Sequence, residues 1–160
     1  MHVLTGVMRH TGYALALALV LTVAHNVHAD PFSIAQENPR VYLVGRDDLR
    51  IRCRTDKDIA GCAEFLGETL RCHCERRDDA WRIAATARFI PYVYVTSMQL
   101  VAHEQSHLDD IRSQLQTFLG DLTAKPFTSE AACQADADFE AAVFGLRMNL
   151  FRSDSNERLH

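Results

Sequence analysis

His103, Glu104 and His107 are the residues of this chain best placed to do chemistry. Side chains four apart share one face of a helix, so His103 and His107 can present two imidazoles to a single divalent cation. Glu104 stands beside them, where it can take a proton from a water held by that cation and return it to a leaving amine. Zinc suits the pair, because it accepts imidazole nitrogen and lowers the pKa of a bound water to about 7. The five residues from 103 to 107 read His-Glu-Gln-Ser-His, and this spacing on a helix predicts metal-assisted hydrolysis of peptide bonds.

Helical periodicity supports that placement. At about 100° per residue, Leu100, Leu108, Ile111, Leu115 and Leu119 gather into one apolar arc, while Gln105, Asp109, Arg112 and Gln116 take the opposite side. His103 and His107 fall at the edge of the arc and Glu104 near its middle. A carboxyl among apolar neighbours is partly desolvated, which should raise its pKa and suit it to general-base work. Asp110, on the same edge as His103, is expected to support a ligand or face solvent rather than bind a cation itself.

A catalytic zinc ion takes three protein ligands and a water. The motif does not continue to a third histidine, since position 110 is Asp and position 113 is Ser. The expected source is a second helix opened by Thr128 or Ser129 and reaching about Arg152. Asp136, Glu140 and Arg147 lie in the middle of its apolar arc, and buried carboxylates need either a metal or an ion-pair partner such as Arg147. His107 lies 13 residues before Gly120 and Glu140 lies 12 after Thr128. An antiparallel pair would set them level, which favours Glu140 as the ligand over Asp136, Glu157 and His160.

The elements around the motif read as follows. Asp30–Pro39 lacks periodicity and is expected to be a loose leader. Val41–Val44 and Leu49–Cys53 read as short strands around Arg46-Asp47-Asp48, and Asp58–Leu66 as a short helix. Leu70–Cys74 reads as a strand ending in the charged turn Glu75–Asp79. Trp81–Val95 alternates with a period of two, and Pro91 should restrict it to an edge or a bend. Thr96-Ser97-Met98-Gln99 is a capping box that opens the motif helix, with Gly120 as its stop signal. The predicted class is α+β: a small antiparallel sheet, the motif helix, and a second long helix antiparallel to it.

Composition narrows the setting. Arg9, the apolar run Tyr13–Ala24 and the small-x-small pattern Val27-His28-Ala29 predict an export signal cleaved after Ala29. About a dozen apolar residues are too few to span a bilayer. Residues 30–160 would then form one domain, periplasmic or secreted, without membrane attachment after cleavage. Without Arg9, 16 Lys and Arg face 21 Asp and Glu, a balance that argues against nucleic acid as a partner. Five cysteines in an exported chain predict two disulfides and one spare thiol among Cys53, Cys62, Cys72, Cys74 and Cys133.

From Val101 onward, His103, Glu104, His107, Asp109 and Ile111 spell HExxHxDxI, and Cys133 follows 26 residues after His107. On these features the chain resembles a bacterial family of predicted secreted zinc-dependent proteases over residues 80–160. The resemblance implies a zincin-like arrangement with a strand before the motif helix, a cell-envelope zinc peptidase acting on peptides or proteins, and Glu104 as its catalytic residue. It also implies a bridge from Cys133 to an earlier strand, nominating Cys72 or Cys74. The competing expectations are a non-catalytic envelope protein whose zinc staples two helices, and a disulfide-framed binding module with an incidental motif.

Overall fold

A computed structural model describes residues 30–159, with side chains as far as Glu157. The predicted export signal, with its cleavage pattern at Ala29, and His160 lie outside the described residues. The chain runs β1 (Phe32–Gln36), β2 (Arg40–Leu43), α1 (Arg46–Arg52), β3 (Gly61–Arg77), β4 (Ala80–Val95), a 3-10 turn (Met98–Leu100), α2 (Val101–Ala124) and α3 (Glu130–Leu159).

β3 and β4 form a long antiparallel hairpin closed by Asp78 and Asp79. Both turn residues have positive φ, 50° and 63°, which matches the right-handed twist of the strands they join. Gly67, at φ 67°, takes up a register shift between Leu66 and Thr69. On β4 the alternation places Ile83, Ala85, Ala87, Phe89, Val93 and Val95 on the buried face. Ala63, Phe65 and Leu70 of β3 join them, and the apolar stripes of α2 and α3 cover the layer.

The sheet is not the antiparallel one expected. β1 and β2 each pair in parallel with β4, end to end along one edge, and only β3 is antiparallel, on the other edge. The stretch from residue 30 is therefore no loose leader but an extended run laid along β4. The physical reason lies in residues 46–52, where the expected turn Arg46-Asp47-Asp48 and return strand Leu49–Cys53 do not form. These residues form α1 instead, with Asp47 and Asp48 in the first turn and Arg50 and Arg52 in the last, charges that complement the helix dipole. Leu49 is fully buried, and Arg52 lies over the Tyr94 ring. With no return strand, β2 continues in the direction of β1. The expected helix at 58–66 is replaced by the start of β3.

Pro91 nevertheless sits inside the central strand. Ala85 donates to Pro31, Phe89 accepts from Glu37 and Val95 accepts from Val44, so odd-numbered residues of β4 turn their backbone groups toward the β1/β2 edge. Pairing on that edge stops at Phe89 and resumes at Tyr92. The N–H that Pro91 lacks thus falls in the gap between two partner strands, where no ladder bond is lost.

Ser97 caps the turn before α2 by accepting from the Gln99 N–H at 3.4 Å. α2 passes through Gly120, because Leu119, Leu122 and Thr123 continue its buried stripe. It ends at Lys125, whose extended conformation is the one a following proline demands. The chain then keeps going forward. Phe127 exchanges two backbone hydrogen bonds with Trp81, at 3.0 and 2.8 Å, before Ser129 caps α3 by accepting from Ala132 at 3.2 Å. α2 and α3 are antiparallel, with Lys125 against Asp136, Gln114 against Phe151 and His107 against Ser155.

Two disulfides are formed. Cys53–Cys62 ties the end of α1 to the start of β3, and Cys74–Cys133 ties β3 to the first turn of α3. Cys72 keeps its thiol. Burial, with Glu140 and Asp138 nearby, pushes that thiol up to about 11, so it stays protonated and inert at neutral pH. Among the described residues no helix is long and apolar enough to cross a membrane.

Candidate active site

The first two turns of α2 carry His103, Glu104 and His107 onto the wall of a cleft of about 900 Å³. The opposite walls are the loop closed by Cys53–Cys62, the start of β3 from Gly61 to Glu64, and the last turns of α3 around Arg152, Asn156 and Glu157. Three other elements thus converge on the motif helix.

Glu104 is 4% exposed. Its carboxyl is packed against the backbone of Gly61, where an added Cβ would stand 2.5 Å from Oε1. No side chain larger than hydrogen fits at position 61 unless Glu104 moves. Burial raises the Glu104 pKa to about 7. Near neutral pH the group therefore exchanges a proton readily in either direction, which is the property a general base and acid needs.

His103 is exposed at the mouth, whereas His107 is 2% exposed. Their ring centroids are 4.9 Å apart with planes at 87°. Two imidazoles on one tetrahedral zinc ion, with Zn–N near 2.1 Å, have centroids about 5 Å apart, so the spacing suits a shared cation. His107 is further held from α3. Its Nδ1 lies 3.1 Å from the hydroxyl of Ser155, which is fully buried. The same hydroxyl donates to the His107 carbonyl at 3.4 Å, which leaves its lone pair for an Nδ1–H. In that tautomer Nε2 carries the lone pair that a metal takes.

Glu140 is not brought to the histidines. It pairs with Arg147 through two contacts of 2.6 Å, the ion pair weighed above as the alternative. Ser155 is the residue of α3 level with His107, and Glu140 lies fifteen residues earlier, about 22 Å along the helix. The expected register fails because the chain runs on to Trp81 before it reverses, so α3 begins well past the end of α2. Asp136 is bound to Lys125 at 3.0 Å. Asp110 accepts from Gln114 at 3.2 Å. Glu157, another of the alternatives to Glu140, does line the cleft. Among the described residues no three His, Cys, Asp or Glu side chains stand close enough together to hold a metal ion.

Arg152 reaches from α3 to Glu64 of β3 and forms an ion pair on the cleft wall. Burial pushes the Glu64 carboxyl up, against the pull of Arg152 and Arg54. Gly61, Ser155 and Arg152 were not anticipated as site residues. Ser155 had a legible signal, since Phe144, Met148, Phe151 and Ser155 follow the four-three-four spacing of a helix face. Gly61 had none, because its role depends on a contact with α2 more than forty residues later. Comparison of the chain with family models, with curated proteins and with solved structures finds no match.

Proposed function

We propose that this chain is an exported zinc-dependent metallopeptidase. The observation that carries the reading is Glu104, buried beside two imidazoles of suitable spacing in an open cleft and raised by desolvation to about 7. The motif HExxHxDxI, the predicted signal ending at Ala29 and the two disulfides agree with an envelope or extracellular setting.

His103 and His107 would hold the zinc, with Ser155 keeping the His107 ring in the ligating tautomer. Glu140 is set aside as third ligand, and Glu157, which lines the same cleft from the opposite wall, would have to swing toward the histidines to complete the set. A bound zinc ion supplies Lewis-acid polarisation of the scissile carbonyl and a water of lowered pKa. Glu104 accepts the proton that attack releases and delivers it to the departing amine. The apolar wall around it keeps bulk water from levelling its pKa.

Zinc content and cleavage of casein, measured together, test this reading. Wild type should carry one equivalent of zinc and cut. Glu104→Gln should keep the zinc and lose cleavage, Glu157→Ala should lose both, and Glu140→Ala should keep both. Unchanged cleavage by Glu104→Gln overturns the mechanism, and zinc-loaded wild type that cuts no peptide returns the site to a structural staple.

A further inference from the structure

The cleft extends beyond the motif along β3. Glu64 lies three residues from Gly61, which packs on Glu104, so the ion pair of Glu64 with Arg152 sits about 10 Å along the strand from the proton-transfer group. That distance is about three residues of an extended peptide. The chain carries a net charge of −4, yet cations line this cleft. Arg152 and Lys57 line it, and Arg54 is close enough to act on the Glu64 charge. Of the other carboxylates that line the cleft, Asp58 is held by Arg46 and Arg50, and Glu157 lies on the same helix as Arg152. Glu68 adds a weaker negative field.

Arg152 is part-buried and touches Glu64 through Nη1 alone. A guanidinium has five N–H donors in a planar fork, and its preferred partner is a carboxylate. Glu64 therefore acts as a resident counter-ion that holds the guanidinium on the cleft wall.

We infer that Arg152 is the specificity-determining residue of this cleft: it takes a carboxylate of the substrate peptide, carried about three residues from the bond served by Glu104. The inference rests on the metallopeptidase reading for the identity of that bond, but the recognition itself is a binding event that can be measured separately.

The test uses the full chain as Glu104→Gln and fluorescein-labelled, acetylated and amidated octapeptides. These carry Glu or Gln at each position up to three residues on either side of the centre. A parallel set with Gln throughout and a free C-terminus separates a side-chain carboxylate from a terminal one. Anisotropy should show at least about tenfold tighter binding of a carboxylate-bearing peptide at one position, the strength of a charge-assisted pair. Adding Arg152→Gln should erase the difference, and Arg88→Gln, on the central strand and outside the cleft lining, should leave it. If Arg152→Gln unfolds because Glu64 loses its partner, Glu64→Gln with Arg152→Gln keeps a neutral pair and should also show no preference. Equal binding of Glu and Gln peptides, or a preference that survives loss of Arg152, overturns the inference. Wild-type protein that binds acidic peptides through Arg152 but never cuts them overturns the peptidase reading alone.

Discussion

Glu104 and Glu140 both sit on the inward arc of a long amphipathic helix, and both face apolar neighbours. Glu140 is met by Arg147 from two turns along the same helix, which closes a bidentate pair at 2.6 Å. Glu104 is met by the bare backbone of Gly61, and its carboxyl is raised to about 7 by burial. A carboxylate with a guanidinium clamp is a strut, its charge already spent on its neighbour. A carboxyl packed on a glycine at the wall of a cleft keeps a mobile proton. The presence of a cation one or two turns away separates structure from chemistry more sharply than burial does.

The contrast can be broken in graded steps. Glu104→Gln should lower kcat/KM on a peptide substrate by about 10³-fold, the usual worth of a general base, while Glu140→Gln stays within a few-fold of wild type. Stopped assays on the same substrate compare the two directly. The next effect is on stability. In metal-free protein the folded Glu104 has a pKa near 7 against an ordinary 4.5, so the folded state holds this proton more tightly. Its contribution is fully present below pH 4.5 and is lost as pH rises to 7, by about 3 kcal/mol, with no further change above. Urea unfolding of wild type minus Glu104→Gln, from pH 4 to 8 with chelator, should trace that step; a flat difference would place the carboxyl in water. Gly61→Ala should lower kcat/KM by about 10²-fold, because the added methyl displaces Glu104 from its seat, and should leave Glu140 and its partner untouched. Smallest is Arg147→Ala. It strands a part-buried carboxylate whose partner was a third exposed, so a loss of about 1–2 kcal/mol in urea unfolding is expected, with activity retained.

Much of this was legible in the residues alone, and the rest was not for physical reasons. The alternation from Trp81 to Val95 and the two helical stripes are strong local signals, and the structure has them close to the expected bounds, except that α3 runs on past Arg152 to Leu159. The environment of Glu104 also follows from its helix alone, since a wheel places it among Leu100, Leu108 and Ile111. Parallel pairing of β1 and β2 with β4 joins residues more than fifty apart and leaves no local pattern. α1 was taken for a strand because Leu49 and Ile51 alternate with arginines, although only Leu49 is buried. The register of α2 on α3 differs because α2 runs past Gly120 and the chain then reaches Trp81 before it reverses. A buried stripe outweighs about 1 kcal/mol of glycine penalty, and the helix ran on to the proline.

Trp81 is the only tryptophan in the chain. Its backbone is hydrogen-bonded to Phe127 where the two long helices join, at the opposite end of β4 from Val95 and the cleft. Indole emission is therefore a built-in gauge of whether the helices are docked on the sheet, and a poor one for events at the motif. An optical titration with zinc or peptide that leaves the tryptophan signal still is thus no sign of failed binding, and ligands at the motif are better followed through a label of their own.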